Sequence, residues 1–452
     1  MISQATATES VESCLRNIGT LDSELHAIIT VADVRAREDA RRCDQATDRG
    51  EWLGLLHGMP IAIKDNIDTE GVLTTSGSRF FATNVPSLDA TVVQRLRAAG
   101  AIPIAKANMA EFAFGATSQN DHYGGCRNPW DLDRIPGGSS GGSGVAVAAE
   151  MAVAALGTDT GGSVRIPAAM NGIVGMRPTF GRVSNHGVLQ VSRNFDTVGP
   201  LARRAVDVAR VMAVLDSFDN DDVTSLRGSR RNVLDGLSHG IEGLRFGVPV
   251  NHFTENLHPE VRKAFEDALR VIEELGGCLV DITVKGAEEA QTHAQRLIYP
   301  DIAAFHAGRI ADAPELFGPS VLARIRLGQE MTATEYAASQ SWRLEWVRVL
   351  ENLFETVDLI VSPTVPIPTP RISELDMTTA THAVTTTTYP WSISNMPSLS
   401  TPCGFAEGTP VGLHISARPW ADHLVLRAAV AFQSVTDWHL REAPVLQTVT
   451  SR

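Results

Sequence analysis

The residues best suited to chemistry in this 452-residue chain are two serine-bearing glycine clusters and one lysine. The first cluster is PGGSSGGSG, Pro136 to Gly144, and the second is Gly161-Gly162-Ser163; Lys64 directly follows the apolar run MPIAI. A glycine-rich turn ahead of a helix can hold phosphates on its backbone N–H groups. A P-loop, however, closes on Gly-Lys-Ser/Thr, and no Gly-Lys pair occurs here. Gly137-Gly138-Ser139-Ser140-Gly141 also satisfies the G-x-S-x-G pattern of a hydrolase nucleophile turn. Such a turn follows a buried strand, whereas RNPWDLDRIPGG before Ser139 reads as a loop, and nothing singles out one of the 13 histidines as its partner. A flexible Gly/Ser linker is the plain alternative. It does not explain why a helix-forming apolar stretch starts directly afterwards, or why LGTDTGGSVRIPAA follows that. The remaining reading uses both clusters together with Lys64.

Here the sequence resembles the amidase signature hydrolases. The segments that carry the resemblance are PIAIKDNIDTEGVLTTSGS, DATVVQRLRAAGAIPIAKANMAEFAFG, NPWDLDRIPGGSSGGSGVAVAAEMAVAALGTDTGGSVRIPAAMNGIVGMRPTFGRVS and, later, MPSLSTPCGF with GTPVGLHI. The match is dense from residue 20 to 215 and returns from 357 to 430. The resemblance implies a catalytic triad of Ser163 as nucleophile, Ser139 as a bridging serine within a cis peptide bond, and Lys64 as base, at the spacing this family keeps. It further implies an oxyanion hole from the backbone of Thr160, Gly161, Gly162 and Ser163, a supporting role for Ser140, and Ala113 together with Ser139 in substrate binding. Asp159 and Arg165 flank the second cluster and are expected to hold that loop by charge-assisted hydrogen bonds. Tyr299, Phe305 and Trp391 are candidate pocket residues by region alone.

Those residue types suit amide hydrolysis. An amide carbonyl is a poor electrophile, so the reaction needs an activated oxygen nucleophile and donors for the oxyanion that forms. A lysine amine can accept the serine proton only when neutral, and burial at the end of MPIAI would lower its pKa. The expected course is attack by Ser163, an acyl-enzyme with release of ammonia or an amine, and hydrolysis of the ester by water. No metal or organic cofactor is required.

Cys, Lys and Thr are frequent in the family where Asn171, Arg177 and Cys126 stand, which leaves the triad intact and changes local packing. Ile166 stands where the A subunit of the glutamyl-tRNA amidotransferase usually has Gln. That difference favours a stand-alone amidase over the alternative, a component of a multisubunit complex like that A subunit.

The elements that must position these groups alternate between strand and helix. MPIAI and AIPIAKA read as buried strands, and Asp89 precedes a helical pattern at Val92, Val93, Leu96 and Ala99 that stops at Gly100. Val11, Leu15, Ile18, Leu21 and Leu25 recur at helical spacing, Gly144 to Ala155 fits a buried helix, and GIVGM looks like a short inner element. Farther on, Leu244 to Pro249 reads as a strand, His258 to Leu275 as an amphipathic helix and Cys278 to Val284 as a strand. The polar stretch between Asp216 and Glu242 suggests a surface connection, the Thr-rich run Thr378 to Thr388 an exposed loop, and residues 285–355 a helical cap. The expected fold is α/β: one large domain over residues 1–452, with a mixed twisted β-sheet covered by helices on both faces.

Composition narrows the partners. Apolar residues make up 43% and charged residues 20%, a globular profile. The formal net charge of −13, with no dense basic run, argues against a nucleic-acid ligand. The N-terminal residues lack a signal-peptide pattern, and the run Gly144 to Leu156 is interrupted by Glu150 and too short to span a bilayer. Five cysteines without CxxC spacing suggest reduced thiols, so the expected setting is the cytoplasm. The expected partner is a small-molecule amide, with a homodimer or partner subunit left open.

Overall fold

Short runs of small and β-branched residues build one central sheet. The computed structural model describes residues 5–228 and 230–447. Among them lie eleven strands: β1 (Ile28–Val31), β2 (Pro60–Lys64), β3 (Ile102–Ala107), β4 (Ala154–Asp159), β5 (Val174–Arg177), β6 (Thr197–Ala202), β7 (Arg245–Pro249), β8 (Cys278–Ile282), β9 (Leu359–Pro363), β10 (Ser398–Ala406) and β11 (Thr409–Ser416). Their order is β1-β3-β2-β4-β6-β5-β10-β11-β9-β7-β8. β2 runs parallel to β3 and β4, and β7 parallel to β8 and β9, while the other pairs are antiparallel.

Successive side chains of a strand face opposite sides of the sheet, and the two sides fill different cores. Ile61, Ile63, Leu156 and Val198 pack with Leu96, Val208, Met212, Phe265 and Phe432 from the helices Thr91–Ala98, Ala205–Leu215, Pro259–Glu274 and Asp422–Val435. Ala62, Ala155 and Leu201 pack the other way, against Val11, Leu21, Ala40, Val145 and Val147 of the helices Ala7–Leu25, Asp33–Asp48 and Gly141–Ala148. The sheet is therefore mixed and covered on both faces, as the sequence indicates. A third core joins the helices Ala287–Phe305, Pro319–Glu330 and Ala333–Thr356 through Ile298, Ile325, Trp346 and Leu350 to Phe112, Phe253 and Trp391.

Two segments depart from the expected elements. Gly144 to Ala155 is not one helix: the helix Gly141–Ala148 ends, Glu150 takes a left-handed φ of 53°, and Ala154 opens β4. Alanine-rich runs suit a helix or a buried strand, and pairing of Ala155 with Leu201 and Ala62 decides for the strand. The Thr-rich run is not an exposed loop either. Most of it forms the helix Met377–Thr385, capped by Asp376 Oδ1, which accepts from Thr379 N at 2.7 Å. Thr381, Thr385, Thr387 and Thr388 are buried. Three of these hydroxyls donate to backbone carbonyls, Thr385 Oγ1 to Thr381 O at 2.7 Å, Thr387 Oγ1 to Thr364 O at 2.6 Å and Thr388 Oγ1 to Gly161 O at 2.7 Å, which lets a polar run enter a core. No helix among the described residues is long and apolar enough to cross a membrane.

Candidate active site

Parallel neighbours present their C-terminal ends on the same side, and that side of the sheet gathers the polar residues. Ile63 of β2 lies opposite Leu156 of β4, so β2 delivers Lys64 beside Thr158 and Asp159 at the end of β4. Ser139 and Ser140 lead into the helix Gly141–Ala148, and Ser163 precedes the short helix Arg165–Asn171.

Lys64 is fully buried. Its Nζ lies 2.7 Å from Ser139 Oγ, 2.7 Å from Thr158 Oγ1 and 3.4 Å from Thr158 O. Loss of hydration pulls its pKa from 10.5 down to about 7, against the opposing fields of Asp196 and Asp159. A neutral amine has two N–H groups and one lone pair. Thr158 offers two acceptors for the N–H groups, which leaves the lone pair able to accept the Ser139 hydroxyl proton.

The peptide bond between Gly138 and Ser139 is cis, and Ser139 O accepts from Ala110 N at 3.2 Å. A Cβ on Gly138 would sit 2.8 Å from the backbone N of both Thr117 and Ser118, so the turn requires glycine there. Ser140 connects the two clusters: its N–H donates to Ser163 O at 3.2 Å, while its Oγ donates to Thr158 O at 3.2 Å and accepts from Thr158 N at 3.3 Å. Asn171 braces the start of the first cluster, its Nδ2 donating to Pro136 O and Pro167 O, both at 2.8 Å.

Asp159 organises the second cluster. Its carboxylate accepts from Gly162 N at 2.8 Å, Val164 N at 3.2 Å, and Arg165 Nε and Nη2, both at 3.0 Å. Arg177 adds a bond to Asp159 Oδ1 at 3.3 Å and donates to Phe195 O and Ser392 O. Burial alone would raise the Asp159 pKa, but Arg165 and Arg177 outweigh it and hold the carboxyl well below its usual range. Burial also lowers the Arg177 pKa to about 10, and burial together with Arg165 keeps His414, 3.0 Å from Arg165 Nη1, neutral. Substituting Asp159 by Ala would leave two buried guanidinium groups without their carboxylate. The expected cost is about 3–5 kcal/mol of stability, measured as a fall in the denaturant midpoint.

The Gly162 N–H is engaged by Asp159 Oδ1 in this structure. Gly161 and Ser163 N–H donate to no protein acceptor among the described residues. Thr388 Oγ1 holds Gly161 O at 2.7 Å, and Tyr389 packs so closely on Gly161 that any Cβ there would overlap its ring. Thr160 Oγ1 donates to Asp196 Oδ1 at 2.5 Å, and Asp196, fully enclosed, has its pKa pushed up by burial to about 6.

Ser163 is half-buried and lines a narrow cavity with about 410 Å³ of empty space, its mouth included. Thr160, Gly161, Ala113, Tyr299 and Tyr389 share that lining. Phe305, 41% exposed, lies outside it, and Trp391 is buried against Phe253 at 5.6 Å between ring centroids. The sequence pattern does not single out Thr158, Asp196, Arg324, Thr385, Thr388 or Tyr389. Thr158 is within its reach, because it stands inside LGTDTGGS. The other residues lie far along the chain from the serine clusters, with no motif around them to mark them. Among the described residues no three His, Cys, Asp or Glu side chains gather as a metal site, and all five cysteines are free.

Known proteins resemble this chain over nearly its whole length. The family model described as Amidase matches residues 9–426. The A subunit of the glutamyl-tRNA(Gln) amidotransferase of Moorella thermoacetica (strain ATCC 39073 / JCM 9320) is 38% identical, with 97% of this chain and 95% of that protein aligned. A solved structure described as a vestigial protein complex that reveals the evolutionary origins of an s-triazine catabolic enzyme superposes with a TM-score of 0.90 at 34% identity, covering 95% of each chain. A bacterial aryl acylamidase of the amidase signature enzymes superposes with a TM-score of 0.88 at 26% identity, covering 99% of this chain and 96% of that one. With a family match across 9–426 and relatives aligned almost end to end, the chain belongs to the amidase signature family.

Proposed function

We propose that the chain hydrolyses a carboxamide C–N bond through an acyl-enzyme on Ser163, with Ser139 and Lys64 as its proton relay. The observation that carries this reading is the contact of 2.7 Å between Ser139 Oγ and a fully buried Lys64 whose pKa lies near 7. Lys64 takes the Ser139 proton as Ser139 takes that of Ser163, and Ser163 Oγ bonds to the amide carbon. Gly161 and Ser163 N–H stabilise the oxyanion. Asp159 and Arg165 keep the loop carrying these donors in place, Ser140 keeps the relay turn beside it, and Asp196 anchors Thr160. Collapse of the adduct breaks the C–N bond while the proton returns through Ser139 to the leaving nitrogen, giving ammonia or an amine. Water then enters by the same relay and releases the acid. Ala113 lines the channel for the acyl group, and the helices of residues 285–355 act as the cap above it.

A second reading, one component of an amidotransferase built from several subunits, is favoured by the 38% identity to such a component. Ile166, in place of the Gln usual there, speaks for the stand-alone enzyme. The purified chain alone is expected to release ammonia steadily from simple carboxamides in a coupled assay. Activity that appears only when a second protein of such a complex is supplied would establish the second reading.

A further inference from the structure

Arg324, on the helix Pro319–Glu330, is the only charged side chain in the described lining of the candidate cavity. It is 4% exposed. Its Nη2 donates to Phe114 O at 2.5 Å, and its guanidinium sits 5.4 Å from the centroid of the Phe114 ring. Nε and Nη1 are buried, and among the described residues they find no acceptor and no carboxylate lies within ion-pair distance of the guanidinium. Glu111 and Asp121 act on it only through their fields. Glu111 is in any case taken by Ser78 Oγ at 2.6 Å, Gly318 N at 2.8 Å and His122 at 3.2 Å. Arginine keeps its charge in proteins, and a buried cation without a counter-ion is costly. A ligand that brings a negative charge and two oxygen acceptors would remove that cost.

The rest of the wall sets the complementary limit. Tyr299, Thr381, Thr385 and Tyr389 offer neutral hydroxyls, and Ala113, Phe114, Val191 and Ile298 are apolar. No acidic side chain stands there to receive an ammonium group. We infer that the substrate is a carboxamide whose far end carries a carboxylate, paired with Arg324, and which bears no cationic group. Neutral amides leave the guanidinium unpaired, and amino-acid amides bury an ammonium without a partner. Planar fork geometry favours a carboxylate over a single-point anion. This deepens the amidase reading and rests on it for the position of the amide at Ser163.

The test compares kcat/KM of the wild-type chain on malonamate, succinamate and glutaramate with neutral amides of matching length and with asparagine and glutamine. The best carboxy-amide is expected to exceed its neutral and zwitterionic counterparts by about 100-fold. Arg324→Gln is expected to collapse that ratio by at least about 30-fold, and Arg324→Lys to restore part of it. Equal use of neutral amides, or a preference untouched by Arg324→Gln, would overturn the inference and leave the amidase reading standing. Calorimetric binding to Ser163→Ala separates the two claims. Carboxy-amide binding that disappears in the Ser163→Ala, Arg324→Gln protein upholds the inference even where no amide is turned over, an outcome that would count against the catalytic reading alone. Should Arg324→Gln fail to fold, the wild-type preference decides by itself.

Discussion

Ser163→Ala is expected to lower kcat for amide hydrolysis by about 10⁴-fold or more, with the melting temperature close to wild type. The reason lies in where the side chain stands. Ser163 is half-buried on the cavity wall, and its backbone O, which survives the substitution, is what accepts the Ser140 N–H. Removing Oγ therefore deletes the proposed attacking atom and leaves the loop bonds to Asp159 and Thr388 in place. Ser139→Ala differs in kind: Lys64 would lose the hydroxyl it contacts at 2.7 Å, and with it the proposed relay, while the proposed attacking oxygen remains. Its loss should be smaller. Steady-state kinetics on one amide with both variants, alongside thermal melts, checks the order of the two effects.

The second large effect is the dependence on pH. In the proposed relay the competent form of Lys64 is the neutral amine, so log kcat/KM on an uncharged amide should rise with unit slope up to pH about 7 and level off above it. At pH 5 about 1% of the plateau rate should remain. Lys64→Ala should remove both this inflection and at least about 10³-fold of kcat. Stability runs in the same direction over a different window. The folded pKa lies below the unfolded value of 10.5, so unfolding takes up a proton between about 7 and 10.5. The penalty for burying Lys64 is therefore full below about 7 and fades as pH climbs toward 10.5.

The two outcomes draw on residues of unequal legibility. Lys64, Ser139 and Ser163 stand in segments whose glycines and small residues are demanded by close backbone approach, and that demand leaves a readable local pattern. Gly138 must pass against the backbone of Thr117 and Ser118, and Gly161 against the ring of Tyr389. The strands around them are equally plain, since burial on both faces produces runs such as PIAI and IPIA. Elements whose partners lie far along the chain are harder. Ala154 and Ala155 form a strand only because β2 and β6 flank them. The Thr-rich run enters the core because Thr hydroxyls reach backbone carbonyls of their own helix or of neighbouring segments, as Thr385, Thr387 and Thr388 do. Arg324 and Tyr389 reach the cavity from helices with no local signature. The bond from Gly162 N to Asp159 depends on the orientation of that carboxylate, which no spacing rule encodes.

The central claim is that Ser163, armed through Ser139 by an uncharged Lys64, carries the acyl group. The most direct measurement is intact-mass and peptide mapping after treatment with a serine-reactive phosphonate. The account predicts one covalent adduct, on the peptide containing Ser163, absent from Ser163→Ala. An adduct on Ser139 with Ser163 unmodified would contradict it.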